Sequence, residues 1–538
     1  MKISLSRLTL GPRRWRRGVS AMVACYCAVV LAAAAASPAT PRGVRPNILI
    51  LIADDLSYSS LGFAGGVAPE VSPNIDRLAR EGLTFSRAHV TASVCQPSRQ
   101  SMFSGKYPHR YGSADFWPMR AGTPTLAKRL REAGYVTAGF AKLQHMKPKA
   151  DFAYEIVDED LNLGVPLPVL GRNPTLLAKG MAAAIETARR RSAPFLVVIN
   201  SEDPHRPFHG DPFEADIFED DAKLIPPPSR VYQPAEVTVP PTLPDLPNIR
   251  TDLARYASSV RRLDDTVGMC LRTLRETGVE QNTMVIFVSD NGMPLPFGKF
   301  EAYVESTRTP LIIKWPQQLR GGSTDDRHLV SLVDIAPTLV ELAGAQPLGD
   351  IDGRSLLPLL FGDGATVSWR THLITVRYEE IYYGDGLAKR ERRTPGFIAS
   401  LSAEGWVPRP DHEAAGTYSR PNNKRAVVDN QYVCIYNHFF DGTPKQAFPY
   451  GDASYQAMVR AAKDNAALRA RVEFYKFRCR EELYDYAKDP GYHQNLSARP
   501  EYSARMRECR ARLAQWMKET RDPIARDFEQ FLTTASAR

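Results

Sequence analysis

Two pairs of oxygen-bearing side chains follow apolar runs that are typical of buried strands. Asp54 and Asp55 follow the run NILILIA, and Asp290 and Asn291 follow the run TMVIFVS. In open α/β sheets, ligands bind outside the carboxyl ends of the strands. If the two strands are close neighbours and parallel, the four side chains converge as a set of oxygen ligands suited to Ca²⁺. Either pair alone is explained as well by helix capping.

The densest group of reactive residue types is the segment VCQPSRQSMFSGKYPHR at 94–110. Pro97 favours a helix that begins near Cys95, because proline is preferred in the first helical turn. A helix N-terminus attracts anions through its free N–H groups and its dipole. Arg99 would direct a guanidinium to the same place. The pattern predicts a cysteine beside a bound anion, with a buried structural cysteine as the alternative.

Strand and helix patterns alternate over most of the chain. Continuous apolar runs predict buried strands, and helical spacing before a glycine predicts helices. The strands fall at 47–53, 135–141, 194–200, 283–289 and 311–314, and the helices at 74–81, 123–133, 174–191, 248–277 and 328–342. This alternation is typical of an α/β domain around a largely parallel sheet, which would bring the acid-bearing strand ends to one edge.

The pattern changes after about residue 370, where strand-like segments lack long helices between them. Strands are expected at 372–378 and 425–436, a loop at 390–423, and helices around 455–475 and 500–520. We therefore predict a leader at 1–39, a catalytic α/β domain at 44–369 and a smaller α+β domain at 370–538.

The N-terminus has the pattern of a secretory signal peptide. A basic segment at 13–17 precedes an apolar, small-residue run at 19–36 and a short exit, Ser37-Pro38-Ala39. The run approaches the length of a membrane-spanning anchor, which is the alternative. We expect an exported protein, periplasmic or secreted, with no stable membrane span after the signal is cleaved.

The net charge excludes one class of partner. The chain has 69 Lys and Arg against 60 Asp and Glu, a formal charge of +9, but the first 39 residues hold six of these cations and no acid. Removing those six charges from +9 leaves +3. A nucleic-acid-binding surface is therefore not expected, whereas a local basic cleft that receives a smaller anion is compatible with this charge.

The cysteine count indicates one free or modified thiol. Of seven cysteines, Cys25 and Cys27 lie in the leader, which leaves five in the exported part. Cys434, Cys479 and Cys509 could supply a disulfide bridge, but the sequence does not define the pairing. The sequence contains no C-x-x-C motif, so a cysteine zinc site is not expected.

Several segments together resemble the sulfatase family. C-x-P-S-R, with a glycine six residues after the arginine, resembles the signature whose cysteine is oxidised to formylglycine after translation. Further blocks resemble the family and follow its order. They are RPNILILIADD at 45–55, SPNIDRLAREGLTFSRAHV at 72–90, SDNG at 289–292 and ELYDYAKDPGYHQNL at 482–496. Within the family, DPHR at 203–206 and DNGMPLPFGK at 290–299 resemble the members that hydrolyse the N-sulfate of glucosamine.

The resemblance implies a fold and a metal centre. The expected fold is an alkaline-phosphatase-like α/β sandwich, with a large mixed, mostly parallel sheet flanked by helices and a smaller C-terminal α+β domain. One Ca²⁺ per chain would be held by Asp54, Asp55, Asp290 and Asn291. The formylglycine formed from Cys95 would also touch this ion.

The resemblance also implies roles for five basic residues. Arg99 would steady the hydrated formylglycine. Lys142 and His145 would contact the sulfate and the hydrate, with two residues between them where the family usually has one. His205 would donate a proton to the leaving group, and Lys299 would grip sulfate oxygens.

The modification makes chemical sense at such a site. A thiol that attacked sulfur would leave a thiosulfate that is not easily released. A hydrated aldehyde has two hydroxyls, one to attack sulfur and one whose deprotonation expels sulfate, so one hard step becomes two. The implied partners are a sulfated glycan substrate and a formylglycine-generating maturase.

Four functions are compatible with these observations. The first is hydrolysis of the N-sulfate of glucosamine in heparin or heparan sulfate. The second is an O-sulfatase that acts on glycosaminoglycan or aryl sulfate esters. A catalytically idle binder of sulfated glycans and a phosphate or phosphonate ester hydrolase of the same fold are the remaining two.

Overall fold

A computed structural model describes residues 45–113, 116–161, 165–212, 218–362, 366–378, 423–440, 442 and 453–536. The leader predicted at 1–39 and all but the last residue of the loop predicted at 390–423 lie outside these residues. Within the described part of the chain, no helix has both the length and the apolar character needed to cross a membrane.

The described strands form a large mixed sheet, an antiparallel sheet and a small parallel pair. They are β1 Asn47–Ala53, β2 Leu83–Phe85, β3 Ala88–His89, β4 Val136–Phe140, β5 Phe195–Asn200, β6 Thr283–Ser289, β7 Leu311–Lys314, β8 Ser323–Asp325, β9 Val330–Ser331, β10 Leu373–Arg377, β11 Lys424–Val428, β12 Tyr432–Asn437 and β13 Glu481–Asp485. The large sheet has the order β4-β5-β1-β6-β7-β2-β8. Strands β4, β5, β1 and β6 are parallel, and β7 is antiparallel to both of its neighbours. The predicted mixed, mostly parallel sheet is therefore confirmed.

The central strand β1 is buried on both faces between β5 and β6. Ile50 pairs with Val198 on one side and with Ile286 on the other. The residues of β1 from Ile48 to Ala53 are at most 2% exposed. A continuous apolar run is what a parallel strand needs when helices cover both faces of its sheet.

The chain forms helices between these strands and after them. They are α1 Pro73–Glu81, α2 Cys95–Ser104, α3 Leu126–Glu132, α4 Lys149–Phe152, α5 Leu167–Leu170, α6 Pro174–Arg190, α7 Pro247–Glu276, α8 Val304–Thr307, α9 Ile335–Leu342, α10 Leu357–Phe361, α11 Ala453–Ala461, α12 Ala466–Phe477, α13 Ser503–Thr520 and α14 Ala525–Ser536. Helices α6 and α7 lie together, and their Leu177, Met181, Leu253 and Val260 share one core cluster with Leu49 of β1. Burial of these apolar side chains is the main force that holds the helices on the sheet.

The C-terminal part is built on the antiparallel sheet β10-β11-β12-β13. Helix α13 packs on it, and its Cys509 and Leu513 share a buried cluster with Val427, Cys434 and Leu483 of the strands. This agrees with the α+β arrangement predicted for the C-terminal part. Both sheets belong to one compact unit formed by Arg45–Leu356 and Ser368–Arg538, and 357–367 are grouped outside it. The boundary at 369/370 stays a prediction.

Two predicted elements were wrong in detail. The helix predicted at 328–342 begins only at Ile335, because the residues before it form β9 and a short 3₁₀ turn. The single strand predicted at 425–436 is the hairpin β11–β12. Its turn is closed by the Asp429 carboxylate, which accepts the N–H groups of Gln431 and Tyr432 at 2.9 and 2.8 Å.

The cysteines of the described residues, including the three late ones, form no disulfide bond with one another. Cys434 and Cys509 are buried as free thiols in the cluster between α13 and the antiparallel sheet.

A buried ion pair joins β11 to the end of α13. Arg425 and Asp522 are both wholly buried, and the guanidinium donates Nε to Oδ2 at 2.8 Å and Nη2 to Oδ1 at 3.1 Å. Tyr378 donates to the same carboxylate at 3.3 Å. Burial would raise the pKa of Asp522, but Arg425 and His109 outweigh burial and lower it.

We predict that Arg425→Met lowers the free energy of unfolding by about 3–5 kcal/mol at neutral pH, because it leaves the Asp522 charge buried without its partner. Urea denaturation measures the change. The pKa of Asp522 is lowered in the folded wild type, so its contribution is present at neutral pH and disappears as the pH falls through that pKa. The deficit of the variant should therefore shrink on acidification.

The control for this prediction is Arg190→Met. It removes the exposed ion pair between Arg190 and Glu186, whose charged atoms lie 3.6 Å apart, and should lower the free energy of unfolding by about 0.5 kcal/mol or less. The double variant Arg425→Met/Asp522→Leu should regain much of the stability. An Arg425→Met deficit no larger than that of the control would contradict the role given to this pair.

Candidate active site

The parallel strands bring polar residues to one edge of the large sheet. Ala53 of β1 is paired in register with Ser289 of β6, so Asp54 and Asp290 leave the two strands side by side. The neighbouring strands β5 and β4 end at the same edge. The predicted neighbouring, parallel arrangement of the two acid-bearing strands is thus observed.

The acids form one buried cluster. Carboxylate oxygens of Asp54, Asp55 and Asp290 and the Sγ atom of Cys95 all lie within 4.8 Å of one another. Asn291 donates its Nδ2 to Asp55 Oδ1 at 2.8 Å. The Oδ1 atom of Asn291 is buried and has no hydrogen-bond partner among the described residues. The three carboxylates and this amide are 0% exposed.

Cys95 is the first residue of α2 and is 1% exposed. Its Sγ atom lies 3.3 Å from Asp54 Oδ1 and 3.7 Å from Asp55 Oδ1. Pro97 is the third residue of the helix rather than the first, a position where the missing N–H still costs no intrahelical bond. Burial, and then the Asp54 carboxylate, raise the pKa of the Cys95 thiol well above its ordinary value. The thiol is therefore protonated at neutral pH.

Arg99, one turn along α2, joins the ends of three strands. Its Nε atom donates to Asp290 Oδ2 at 2.8 Å, and its Nη1 atom donates to Asn200 Oδ1 at 2.5 Å. Its Nη2 atom lies 3.6 Å from Asp54 Oδ2. Burial would lower the pKa of Arg99, but Asp290 and Asp54 outweigh it and raise the pKa. Arg99 is thus a fixed positive charge beneath the cluster.

Lys142 reaches the cluster from the end of β4. Its backbone lies in the left-handed region, with φ of 53°, and the preceding N–H of Ala141 donates to Asp158 Oδ2 at 3.0 Å, which helps to hold the turn. The Nζ atom contacts Asp54 Oδ2 and lies 3.2 Å from Glu202 Oε2. Burial would lower the pKa of Lys142, but Asp54 and Glu202 outweigh it and raise the pKa.

Lys299 and His205 approach Asp55. The Nζ atom of Lys299 lies 2.7 Å from Asp55 Oδ1 and 2.9 Å from Oδ2. The Nε2 atom of His205 lies 3.7 Å from Asp55 Oδ2, and its Nδ1 atom lies 2.5 Å from the carbonyl oxygen of Arg206. The His205 side chain is 32% exposed, so it stands where the cluster meets solvent. Burial, and then Lys142 and Lys299, lower the pKa of His205 well below its ordinary value.

His145 lies close to the cluster without a direct hydrogen bond to it. The residue ends a 3₁₀ turn after Lys142, and its ring centroid is 5.7 Å from that of Phe116. Its buried Nδ1 atom has no hydrogen-bond partner in the described part of the chain. Burial, and then Lys142 and Arg99, lower the pKa of His145 well below its ordinary value. The ring is therefore neutral beside these two cations.

Sequence reasoning missed Asn200, Glu202 and Arg172. Asn200 accepts from Arg99 and donates Nδ2 to the carbonyl of Phe140 at 3.1 Å. The sequence did point to Asn200 and Glu202, since Asn200 ends the apolar run PFLVVIN and Glu202 follows it by two residues at the same sheet edge. Arg172, in the loop before α6, donates Nη2 to the carbonyl of His205 at 3.2 Å and lies 3.7 Å from Glu202. A lone loop arginine gives no such signal.

The donor set fits a hard divalent cation. Three carboxylates within a few ångströms of one another and a buried amide oxygen without a hydrogen bond are the oxygen ligands that Ca²⁺ takes. The Cys95 position faces the same carboxylates and would complete the set through an oxygen if its sulfur were replaced. The residues that could hold a metal are therefore Asp54, Asp55, Asp290 and Asn291, with position 95 beside them.

Comparison with known proteins finds similarity to one family over most of the chain. The model of the Sulfatase family matches residues 46–345. N-sulphoglucosamine sulphohydrolase of Homo sapiens is 28% identical over 527 residues, which cover 92% of this chain and 94% of that protein. N-acetylglucosamine-6-O-sulfatase of Bacteroides thetaiotaomicron is 25% identical over 422 residues, which cover 63% of this chain and 75% of that protein.

A solved structure gives the same picture of the fold. An enzyme in complex with its substrate, D-glucosamine-2-N,6-O-disulfate, matches with a TM-score of 0.60 and 19% identity, over 89% of this chain and 98% of that chain. The expected sandwich fold, with its C-terminal antiparallel sheet, is confirmed.

We predict that Ca²⁺ added to chelator-treated protein raises its free energy of unfolding, by about 2–3 kcal/mol at one hundred times the dissociation constant. The gain arises because the ion binds the folded cluster and not the unfolded chain. Thermal unfolding with and without Ca²⁺ measures it. Asp54→Asn should abolish most of the gain, whereas the exposed control Glu186→Gln should keep it. Equal unfolding curves with and without Ca²⁺ for the wild type would refute a cation site.

Proposed function

This chain belongs to the sulfatase family, and we propose that it hydrolyses sulfate from a sulfated glycosaminoglycan, with the N-sulfate of glucosamine as its main target. The observation that carries the proposal is the meeting of Cys95, three buried carboxylates and three cations at one edge of the sheet. The similarity to N-sulphoglucosamine sulphohydrolase over nearly the full length of both chains supports the choice of substrate. We further propose that the protein is exported, to a periplasm or to the outside of the cell.

Position 95 supplies the nucleophile in this proposal, after a maturase has converted Cys95 to formylglycine. The hydrated form of that residue supplies one hydroxyl that attacks sulfur and a second that allows the sulfate to leave. The chain's own contribution is placement. The first turn of α2 holds position 95 against Asp54 and Asp55, and Arg99 fixes that helix to Asp290.

Asp54, Asp55, Asp290 and Asn291 would hold the calcium ion, which when bound supplies positive charge against the sulfuryl oxygens. Carboxylate oxygens of the three aspartates lie within 4.8 Å of the Sγ atom at position 95. Asn291 would contribute its otherwise unpaired Oδ1 atom.

The three cations orient and stabilise the sulfate group. Lys142 and Lys299 reach the cluster through different carboxylates, Asp54 and Asp55, so two separate ammonium groups are available beside the sulfate. Fixed, water-poor cations are worth most where negative charge builds in the transition state. Glu202 keeps Lys142 in place by a second contact at 3.2 Å.

His205 is placed to serve the leaving group. Its Nδ1 atom is held against the backbone carbonyl of Arg206, which fixes the ring and leaves Nε2 directed at the cluster. The side chain lies at the solvent boundary, where the departing sugar amine or hydroxyl must exit. With its pKa lowered and its proton on Nδ1, the neutral ring would first accept a proton on Nε2 from the hydroxyl at position 95 that attacks sulfur, and would then pass that proton to the leaving atom as its bond to sulfur breaks.

An O-sulfatase is the second candidate. N-acetylglucosamine-6-O-sulfatase is a relative at 25% identity, and the substrate in the solved complex bears both kinds of sulfate. The N-sulfatase reading rests on the run DNGMPLPFGK and on Lys299, which that run places on Asp55.

We predict that matured protein releases sulfate from N-sulfated glucosamine disaccharides faster than from their 6-O-sulfated or 2-O-sulfated counterparts. Ion chromatography of released sulfate measures the rates, and peptide mass spectrometry checks that position 95 has lost its sulfur. Cys95→Ala should release no sulfate from any of them. Turnover of O-sulfated sugars alone would replace the first candidate with the second. Turnover of 4-nitrophenyl phosphate, with no turnover of 4-nitrophenyl sulfate, would reject both.

We predict that His205→Ala lowers kcat on the sugar substrate by about 10²–10⁴-fold, because a sugar amine or hydroxyl is a poor leaving group without a proton. The same variant should lose far less on 4-nitrophenyl sulfate, whose leaving group departs as an anion. Parallel kinetics on the two substrates measure the difference. Equal losses on both would assign His205 to binding or structure instead.

A further inference from the structure

A basic cleft lies at the other end of the helix that begins with Cys95. The cleft has a volume of about 990 Å³, and Lys106, two residues beyond the end of α2, is part of its wall. Because a ten-residue helix is roughly 15 Å long, this cleft is well separated from the carboxylate cluster at the start of α2. Its remaining walls come from residues between 107 and 120, between 331 and 354 and between 370 and 374, and from the last turns of α13 with the residue that follows them.

Cations dominate the lining of the cleft. Seven Lys or Arg side chains line it against three acids. Arg110 neutralises two of those acids, Asp350 and Asp352, through direct ion pairs. Arg370 and Arg512 are paired with acids that do not line the cleft. The excess of positive charge therefore rests on the remaining side chains.

Three of these cations make no hydrogen bond or ion pair with any described residue through their side chains. They are Lys106, Arg354 and Arg521, which come from three separate segments of the chain. The pKa of the exposed Asp350 is lowered, first by Arg110 and then also by Lys106 and Arg521, so these cations face the same space. Lys106 itself has a lowered pKa, through burial and then through Arg110. Positive charge is thus concentrated here on three side chains that have no ion pair of their own.

The size and the walls of the cleft indicate the kind of anion it suits. A volume near 990 Å³ is at the upper end of ordinary ligand sites and far exceeds one sulfate ion. The ring of Trp516 packs edge-on at 4.9 Å from that of Tyr107, and both contribute to the wall. Aromatic rings beside separated cations suit a ligand with apolar ring faces and several negative groups.

We propose that this cleft is a second, non-catalytic binding site for a segment of sulfated oligosaccharide. The choice of ligand rests on the proposed function, since a sulfated glycan is the polyanion that the active site would meet. Lys106, Arg354 and Arg521 would each pair with a sulfate or carboxylate of the sugar chain. The cleft would hold the polymer to the enzyme while the chemistry takes place at the start of α2.

The test is calorimetric binding of a heparin-derived octasaccharide to the Cys95→Ala protein, with glucosamine N-sulfate present to fill the catalytic site. The triple variant Lys106→Glu/Arg354→Glu/Arg521→Glu should weaken this binding by about tenfold or more, with a smaller dependence on salt. The matched control Arg189→Glu/Arg190→Glu/Lys488→Glu makes the same change in net charge at exposed sites outside the cleft, and should bind within about twofold of the parent.

Two results would overturn the proposal. One is that the cleft variant and the control weaken octasaccharide binding equally, which would show that only the overall charge of the protein matters. The other is inorganic sulfate binding that is as tight as that of the octasaccharide, which would make the cleft a site for simple anions. If the triple variant is unstable, Arg354→Glu/Arg521→Glu alters only exposed residues and gives the same comparison.

The outcome is separable from that of the proposed function. With Cys95 present and matured, the cleft variant should turn over 4-nitrophenyl sulfate like the wild type, because none of its three residues touches the carboxylate cluster. Binding of the octasaccharide through the cleft, without sulfate release by the matured wild type, would reject the proposed function and leave the second site standing.

Discussion

The structure depends on the neutralisation of three carboxylates buried within a few ångströms of one another. Asp54, Asp55 and Asp290 are 0% exposed, and such a cluster is tolerated only when opposite charges and hydrogen bonds meet it. Arg99 and Lys142 supply two of the required cations, and Lys299 supplies the third. Burial raises the pKa of Asp290 to about 7 in spite of Arg99, whereas the cations hold the pKa of Asp54 well below its ordinary value. Asp54 therefore carries its negative charge more readily than Asp290 does.

The topology of the sheet brings residues from distant parts of the chain to this cluster. The parallel strands end at the same edge, so Asp54, Asp55, Asp290 and Lys142 reach the cluster within two residues of a strand end, whereas Arg99 comes from α2 and Lys299 from the segment after β6. Two of these residues take left-handed backbone conformations, Asp55 with φ of 70° and Lys142 with φ of 53°. Such strain at non-glycine residues persists only where the surroundings fix it, as the buried ion pairs do here.

Much of this arrangement was predictable from sequence, and the exceptions have physical causes. Uninterrupted apolar runs followed by acids predicted β1, β6 and the side chains at their ends, because a strand that is buried on both faces must be apolar at every position. The position of Arg172, a lone arginine in a loop, depends on tertiary packing across segments, which periodicity does not encode. The hairpin β11–β12 was read as one strand because its turn at Asp429 lacks glycine and proline. Short edge strands such as β8 are set by their neighbours in the sheet and not by their own residues.

Two features around Cys95 have opposite effects on the ionisation of its thiol. The N-terminus of α2 favours an anion by about 0.3–2 kcal/mol. An Asp54 carboxylate 3.3 Å from Sγ opposes a thiolate by roughly 4–5 kcal/mol at an effective dielectric constant of about 20, and burial adds to this. Burial, and then the Asp54 carboxylate, prevail over the helix N-terminus, so the pKa of the thiol is raised and a thiolate nucleophile is disfavoured at this position. A neutral, oxygen-bearing nucleophile meets no such penalty, which is the physical reason to propose formylglycine at this position.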